Sequence, residues 1–178
     1  MMRRYKLFYS LIILFVVIEI NISGQVVVPS ASATGHVIAE IISVFSATET
    51  SQMNFGRFSP GPQGGEIILS PRNTISVLGS VYAGQGMHNA ASFYVSGDAD
   101  ATFSITLPSG PVVLTHMSSA KTMLVDDWIS IPAQGTGTGK LLNGFQNVYV
   151  GATLKVGTLN DNPIGIYTGT YEVTFDFY

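Results

Sequence analysis

Histidine is the side chain most suited to metal binding or to acid–base chemistry near neutral pH, and this sequence has three. His36, His88 and His116 stand in separate segments, with no pair at the spacing of metal ligands. The sequence contains no cysteine, which removes thiolate ligands. We therefore predict no metal site, unless folding brings distant ligands together.

Five aspartates offer oxygen ligands for calcium or a carboxylate pair for acid–base catalysis. They do not follow the twelve-residue calcium-loop pattern, so we interpret them as groups that solvate turns and loops. Two of them are adjacent, and adjacent side chains on a strand point to opposite faces, where they cannot flank one scissile bond. The five are Asp98, Asp100, Asp126, Asp127 and Asp161.

The segment Gly135–Lys140 is glycine-rich and ends in lysine, as phosphate-binding loops do. That motif requires glycine where Gln134 stands and serine or threonine where Leu141 stands, and no helix is predicted to follow. We interpret the segment as a mobile loop between strands. There is no Gly-x-Ser-x-Gly elbow either. The sequence thus predicts no catalytic residue, no cofactor and no enzymatic activity.

Three aromatic side chains, Trp128, Tyr82 and Tyr94, are candidates for a platform on which sugar rings stack. An isolated tryptophan in a β-sandwich is more often a core residue. The alternative function is therefore a carbohydrate- or surface-binding module. Its rim would consist of three loops, at residues 59–65, 84–90 and 133–140.

The composition indicates which kind of fold holds these residues. Hydrophobic residues make up 46% of the chain, charged residues only 11%, and the formal net charge is −3. Few charges together with many glycines, serines and threonines are typical of an exported all-β domain. The sequence has no basic patch to neutralise phosphates and no polybasic segment for anionic lipid, which argues against binding of nucleic acid.

The amino-terminal pattern is that of a secretory signal peptide. Arg3, Arg4 and Lys6 precede an unbroken apolar run, Leu7–Ile18, which is too short to span a bilayer as a helix. We predict a signal peptide at residues 1–24, no membrane span after its cleavage, and an exported protein in the periplasm, on the cell surface or outside the cell. The alternative is an uncleaved anchor.

The rest of the chain predicts one β-sandwich domain at residues 35–178, after an extended segment at residues 25–34. His36–Phe45 is apolar on both sides and rich in β-branched residues, which favours a strand covered on both faces over a helix. Asp98 and its neighbours predict a hairpin loop at residues 97–100. In all we predict roughly ten short strands, the later ones at residues 53–58, 66–69, 74–78, 91–96, 101–107, 112–115, 122–125, 128–131, 145–150, 152–156 and 171–178.

The last predicted strand has the clearest alternation. Tyr171, Val173, Phe175 and Phe177 alternate with polar residues as far as Tyr178, the last residue of the sequence. Aromatic and β-branched residues suit a half-buried pleated surface. We therefore predict that this strand belongs to the core, an arrangement that favours assembly or display over catalysis.

Several separated motifs resemble a family of exported bacterial proteins known as a domain of unknown function, number forty-four-oh-two. The motifs are Met53–Gly56, Phe93–Gly97 with its partner Thr102–Pro108, Val150–Leu154 and Gly165–Phe175. The resemblance covers about residues 33–178.

The carboxyl-terminal strand is also similar to that of chaperone–usher pilins and spore-coat-U proteins, although the cysteine pair of many pilins is missing. That similarity implies an incomplete immunoglobulin-like antiparallel β-sandwich, completed by a strand from a periplasmic chaperone or from the next subunit. It implies that Tyr171, Val173, Phe175 and Phe177 face the core beside an open groove. Residues 25–34 would be the strand that is lent, with Val26 and Val28 as its anchors.

These observations together predict a non-enzymatic structural protein that is secreted or on the cell surface. It would be a subunit of a pilus-like fibre or coat that assembles through β-strand pairing. Its expected partners are further copies of itself or a periplasmic chaperone, and surface glycans under the alternative function.

Overall fold

The computed structural model describes residues 28–41 and 44–178, which fall in two units, the first ending at residue 40 and the second beginning at residue 41. In the first unit, residues 28–40 form neither helix nor strand and are exposed. The predicted signal peptide and Val26 lie outside the described residues.

The predicted strand at His36–Phe45 is wrong over its described part. Residues 36–41 form no strand, and the side chains of Val37 and Ile41 are 94% and 99% exposed. An apolar pattern on both sides of a strand indicates that both faces need cover, but it does not say which residues supply that cover. The described chain leaves these side chains in water.

The strands of the second unit pair antiparallel throughout its described residues, and the part of the chain that the structure describes contains no helix. The prediction of an all-β antiparallel sandwich is confirmed. The strands are β1 (Ser46–Ser51), β2 (Phe58–Leu69), β3 (Ile75–Ala83), β4 (Ala91–Ser96), β5 (Thr102–Thr106), β6 (Val112–His116), β7 (Thr122–Ile131), β8 (Gly135–Lys140), β9 (Phe145–Val156), β10 (Tyr167–Thr168) and β11 (Thr174–Phe177).

The larger sheet is organised around β9. Its strand order is β1-β4-β9-β7-β6-β10, and β2 also pairs with β9 and carries β3 beside it. The first half of β9 pairs with β4 and the second half with β2, while β7 pairs along its other edge. Alternate residues of β9, among them Val148, Val150 and Leu154, are buried in the core.

The smaller sheet, in the order β11-β5-β8, supplies the opposite side of that core with Phe103 and Ile105. The predicted hairpin across residues 97–100 is therefore wrong. β4 pairs with β1 and β9, whereas β5 pairs with β11 and β8. The four-residue loop leads the chain from one sheet to the other, which alternation within each strand does not distinguish from a hairpin.

Two segments predicted as loops are strands. Residues 59–65 belong to β2, where a register shift between Pro60 and Gly64 accommodates the prolines. The glycine-rich segment 135–140 is β8, paired with β5, so it is neither a mobile loop nor a phosphate loop. Gly139 lies so close to the ring of Phe103 that a side chain there would clash with it.

Two pairs of predicted strands are single strands. β7 continues through residues 126–128 by a register shift, at which Asp127 takes a positive φ of 52°. β9 is continuous through Gly151, which lies against the carbonyl of Leu69. No helix among the described residues is long and apolar enough to cross a membrane.

Candidate functional site

An open groove of about 1260 Å³ reaches into the core of the second unit. Its floor consists of core side chains of the larger sheet, including Phe93, Met123, Val125, Trp128 and Leu154. Apolar side chains of a sandwich core are normally covered by the facing layer. The floor side chains are themselves largely buried, whereas Met87, Ile164 and Ile166 on the walls are exposed, so the uncovered apolar surface of the groove lies on its walls.

The walls of the groove come from two segments that are far apart in sequence. Residues 52–60 form one wall and residues 162–171 form the other, with residues 85–87 also lining the opening. Between β10 and β11, residues 169–173 form no strand. Much of the wall is thus irregular backbone that is not part of a sheet ladder.

One sheet edge lies beside the groove, because Glu49 of β1 lines it. β1 ends the larger sheet and is hydrogen-bonded to β4, and β11 ends the smaller sheet and is hydrogen-bonded to β5. The ring of Phe45, directly before β1, stacks on Phe177 of β11 with centroids 4.1 Å apart. An edge strand presents backbone N–H and C=O groups that another strand can pair with.

Two polar atoms beside the groove are buried without a hydrogen-bond partner among the described residues. They are Nε1 of Trp128 and the hydroxyl oxygen of Tyr171, whose rings lie 4.7 Å apart. Burial, with a smaller contribution from the charge of Glu49, raises the pKa of Tyr171, so its phenol stays protonated and can donate. Buried donors are normally paired, so both atoms indicate that a hydrogen-bond acceptor is missing here.

The residues predicted for the terminal strand are partly buried and pack against the core: Tyr171, Val173, Phe175 and Phe177. Tyr171 lines the groove, and the rings of Phe175 and Phe177 contact Phe103 at centroid distances of 5.9 and 5.6 Å. The strand itself is shorter than predicted, because only Thr174–Phe177 pair with β5. Val28 is 75% exposed, and Val26 lies outside the described residues.

The predicted sugar platform does not form. Trp128 is buried, with 7% of its surface exposed, whereas Tyr82 lies exposed on β3. Of the three predicted rim loops, parts of 59–65 and 84–90 line the groove, but 133–140 does not. The sequence alone does not distinguish an exposed tryptophan that stacks on sugars from a buried tryptophan of the core, because the residue is the same in both cases.

A different aromatic surface lies on the outer face of the larger sheet. Tyr94 of β4 stacks on Phe145 of β9 at 5.8 Å, and all three of Tyr94, Phe145 and Tyr149 are partly exposed. Tyr149 also lines a shallow cavity of about 610 Å³ with polar side chains that include Arg72 and Asn89. Aromatic rings beside amide and guanidinium groups can bind a sugar.

The candidate metal ligands are explained by other contacts. Nε2 of His116 lies 3.2 Å from the carbonyl oxygen of Ile164, and Nε2 of His88 lies 3.2 Å from that of Asn73. His36 is exposed. Within residues 28–41 and 44–178, no three histidine, aspartate or glutamate side chains form a group that could hold a metal ion.

The aspartates proposed as solvating groups do not form one cluster. Asp100 pairs with Lys140 at 3.0 Å, and Asp127 pairs with Lys155 at 3.0 Å. Lys155 also bonds to Glu66 at 2.9 Å, and these two hydrogen bonds raise the pKa of the lysine. Oδ2 of Asp161 accepts hydrogen bonds from Thr158.

Sequence reasoning missed the groove because its walls come from distant segments, yet a signal was present. Two of the motifs that carried the family resemblance, residues 53–56 and 165–171, both line the groove. It also missed Arg57, a cation on the groove wall that has no carboxylate partner among the described residues. Motifs that are far apart in the chain and meet at one surface mark that surface as a candidate site.

Comparison with known proteins assigns the chain to a family but does not indicate an activity. No curated protein and no solved structure matches the chain. Residues 45–177 match the family model described as Domain of unknown function (DUF4402). Both motifs that line the groove fall inside this range, and the chain belongs to that family of bacterial domains.

Proposed function

We propose that the protein is an exported, non-enzymatic structural subunit that assembles through β-strand pairing, in a fibre or coat at the cell surface. The open groove is the observation that carries this proposal. The exposed apolar side chains of its walls, Met87, Ile164 and Ile166, are what an added strand would cover, and Nε1 of Trp128 and the hydroxyl of Tyr171 are what it would pair. A strand supplies apolar side chains and carbonyl acceptors together.

Two further observations support the proposal. The amino-terminal sequence has the pattern of a secretory signal, and the similarity of the last strand to that of pilins implies a sandwich completed by another chain. The expected partner is another copy of the protein, or a periplasmic chaperone before assembly. The exposed edges of β1 and β11 are where such pairing would occur.

The test is the state of the exported protein in solution and on cells. We expect sedimentation of the purified protein to give oligomers that grow with concentration, and electron microscopy with a labelled antibody to give linear or continuous labelling on cells. A monomer at every concentration, with scattered single labels on cells, would contradict the proposal.

The aromatic outer face favours a second candidate function, binding of surface glycans. Tyr149 would stack on a sugar ring while Arg72 and Asn89 in the same cavity bond to its hydroxyl groups. A glycan array with the purified protein tests this function. Binding that falls at least tenfold in Tyr149→Ala, and not in the control Tyr82→Ala on β3, would support it, and an array without binding would reject it.

A further inference from the structure

The shallow cavity beside Tyr149, which we call the outer cavity, lies where β9 changes its neighbour. The first half of β9 pairs with β4 and the second half with β2. Between the end of β2 at Leu69 and the start of β4 at Ala91, residues 71–73 and 89–90 line the recess. The topology of the larger sheet therefore produces this cavity.

The turn after β2 holds Arg72 at the rim of the outer cavity. Oγ of Ser70 accepts hydrogen bonds from the backbone N–H groups of Arg72 and Thr74, each at 3.2 Å. Oδ1 of Asn73 accepts one from the backbone N–H of Ala90 at 2.8 Å, which ties the turn to the segment before β4. Asn73 has a positive φ of 63°, a conformation that asparagine tolerates in turns. The backbone that carries Arg72 is thus held on both sides.

The charge of the outer cavity is positive. Arg72 is the one charged side chain among the described residues that line it. Arg72 is exposed and forms no ion pair with a described residue. The whole chain has a formal net charge of −3, so a recess with a cation and no carboxylate differs from the protein as a whole. A guanidinium group attracts anions, and it bonds to a carboxylate through two parallel N–H groups.

The rest of the lining provides the contacts that a sugar ring needs. Tyr149 and Ile131 are paired across β9 and β7, and their side chains present partly exposed apolar surface. Ser51, Ser92 and Asn89 add hydroxyl and amide groups. A sugar offers an apolar ring face to the first group and hydroxyls to the second. The volume of about 610 Å³ also lies within the range of small-ligand sites, roughly 300–1,000 Å³.

We propose that the outer cavity binds a sugar unit that carries a carboxylate, and that Arg72 selects for that charge. This inference rests on the second candidate function, glycan binding, and it names the class of glycan. Arg72 pairs with the carboxylate instead of with a hydroxyl group, while the ring lies on Tyr149 and its hydroxyls bond to Asn89. A neutral sugar of the same shape lacks this charge-assisted contact, so it binds more weakly.

Other anionic partners fit the outer cavity less well. Nucleic acids and anionic membranes are bound by several lysine or arginine side chains along one surface. Arg72 is a single cation beside an aromatic ring, an amide and hydroxyl groups. This set matches one carboxylate on one ring.

A glycan array tests the class of ligand. The array carries glycans with uronic or sialic acids, the same glycans with their carboxylates converted to methyl esters, and neutral and sulfated glycans. We expect the purified protein to bind carboxylated glycans, and to bind the matched methyl esters roughly tenfold more weakly or less. Binding confined to neutral or sulfated glycans would overturn the inference.

The outcomes of the array distinguish a wrong glycan class from a wrong function. If methyl esters and neutral glycans bind as tightly as carboxylated ones, the inference fails and glycan binding stands. If no glycan on the array binds, both are rejected.

Substitution of Arg72 tests the contact itself. Arg72→Gln protein should bind a carboxylated glycan no more tightly than the natural protein binds its methyl ester. Arg72→Lys should recover only part of the difference, because lysine lacks the planar fork of donors. A preference for the carboxylate over its methyl ester that persists in Arg72→Gln would overturn the role of Arg72.

The control is Lys121→Gln, which changes the net charge equally. Lys121 is exposed and lines neither the outer cavity nor the groove, so the preference for carboxylates should remain. Denaturant unfolding of both variants should match the natural protein, because both side chains are exposed and the turn is held by Ser70 and Asn73. Equal losses of binding in the two variants would show an effect of net charge and reject the contact.

Discussion

Tyr171 and Trp128 each hold a polar atom in a mostly apolar environment. Burying an unpaired polar atom lowers the free energy of unfolding of the subunit. A buried donor without an acceptor costs about 1–3 kcal/mol relative to a paired one. Both atoms lie beside the same groove. The same unpaired atoms would stabilise an added strand, because it could form hydrogen bonds with them as well as bury apolar surface.

The unpaired hydroxyl of Tyr171 predicts opposite effects of one substitution on folding and on assembly. Tyr171→Phe removes a hydroxyl that has no partner in the subunit, so the free energy of unfolding should stay the same or rise by up to about 1 kcal/mol. Assembly should weaken, because the acceptor on the incoming strand loses its donor. Denaturant unfolding of the monomer and sedimentation of the assembly measure the two effects.

The control for Tyr171→Phe is Tyr94→Phe, on the partly exposed outer face. It should change neither property. If Tyr171→Phe instead lowers the free energy of unfolding by more than about 1 kcal/mol, the hydroxyl has a hydrogen-bond partner within the subunit.

Asp161 gives a prediction about pH. Hydrogen bonds from the hydroxyl and the backbone N–H of Thr158, at 2.7 and 3.1 Å, lower the pKa of its carboxyl. Because the folded pKa lies below the unfolded one, the stabilisation is present above the unfolded pKa and is lost as pH falls through the folded pKa. Thr158→Val should raise the Asp161 pKa toward its ordinary value, as followed by NMR of the carboxyl carbon. Thr170→Val should leave it unchanged, and an unmoved pKa in Thr158→Val would refute the assignment.

Among the strands, those whose alternate side chains are buried in the core of the second unit were predicted best from the sequence. β4 was predicted with its observed bounds, and β5 and β6 nearly so, since their inward residues are mostly apolar. The first part of β2 was predicted as a loop because it contains prolines and glycines. In the structure a register shift accommodates them within the strand. The hairpin at residues 97–100 and the groove could not be predicted, because both depend on which sheet each strand joins.

The contact between β8 and the core gives a prediction at this scale. Gly139 of β8 faces the ring of Phe103, so Gly139→Ala must push the small sheet away from the core. We expect it to lower the free energy of unfolding by about 1–3 kcal/mol. Gly110→Ala is the matched control, since no atom lies within 4 Å of the added carbon, and it should change stability by less than about 0.5 kcal/mol. Equal effects in denaturant unfolding would contradict the tight contact.

At the scale of the whole molecule, the proposals predict where protection from hydrogen exchange changes on assembly. In the isolated subunit, amides of β9 should exchange slowly, because the strand is paired on both sides, and amides of residues 36–41 should exchange rapidly. In the assembly, the edge strands β1 and β11 should become protected while β9 is unchanged. Mass spectrometry of both states measures this, and edge strands that exchange equally fast in both states would contradict pairing at those edges.

The position of β9 in the chain has a consequence for how the protein reaches its folded state. β2, β4 and β7 come earlier in the sequence, but each is held in the larger sheet by residues 145–156. Until those residues are available, the earlier strands have no common neighbour, so β1 with β4, β2 with β3 and β6 with β7 can pair only as separate units. The larger sheet therefore forms only when nearly all of the polypeptide is present. If the protein is exported as we propose, this order would keep the larger sheet from closing during passage through a membrane and let it close around β9 on the far side.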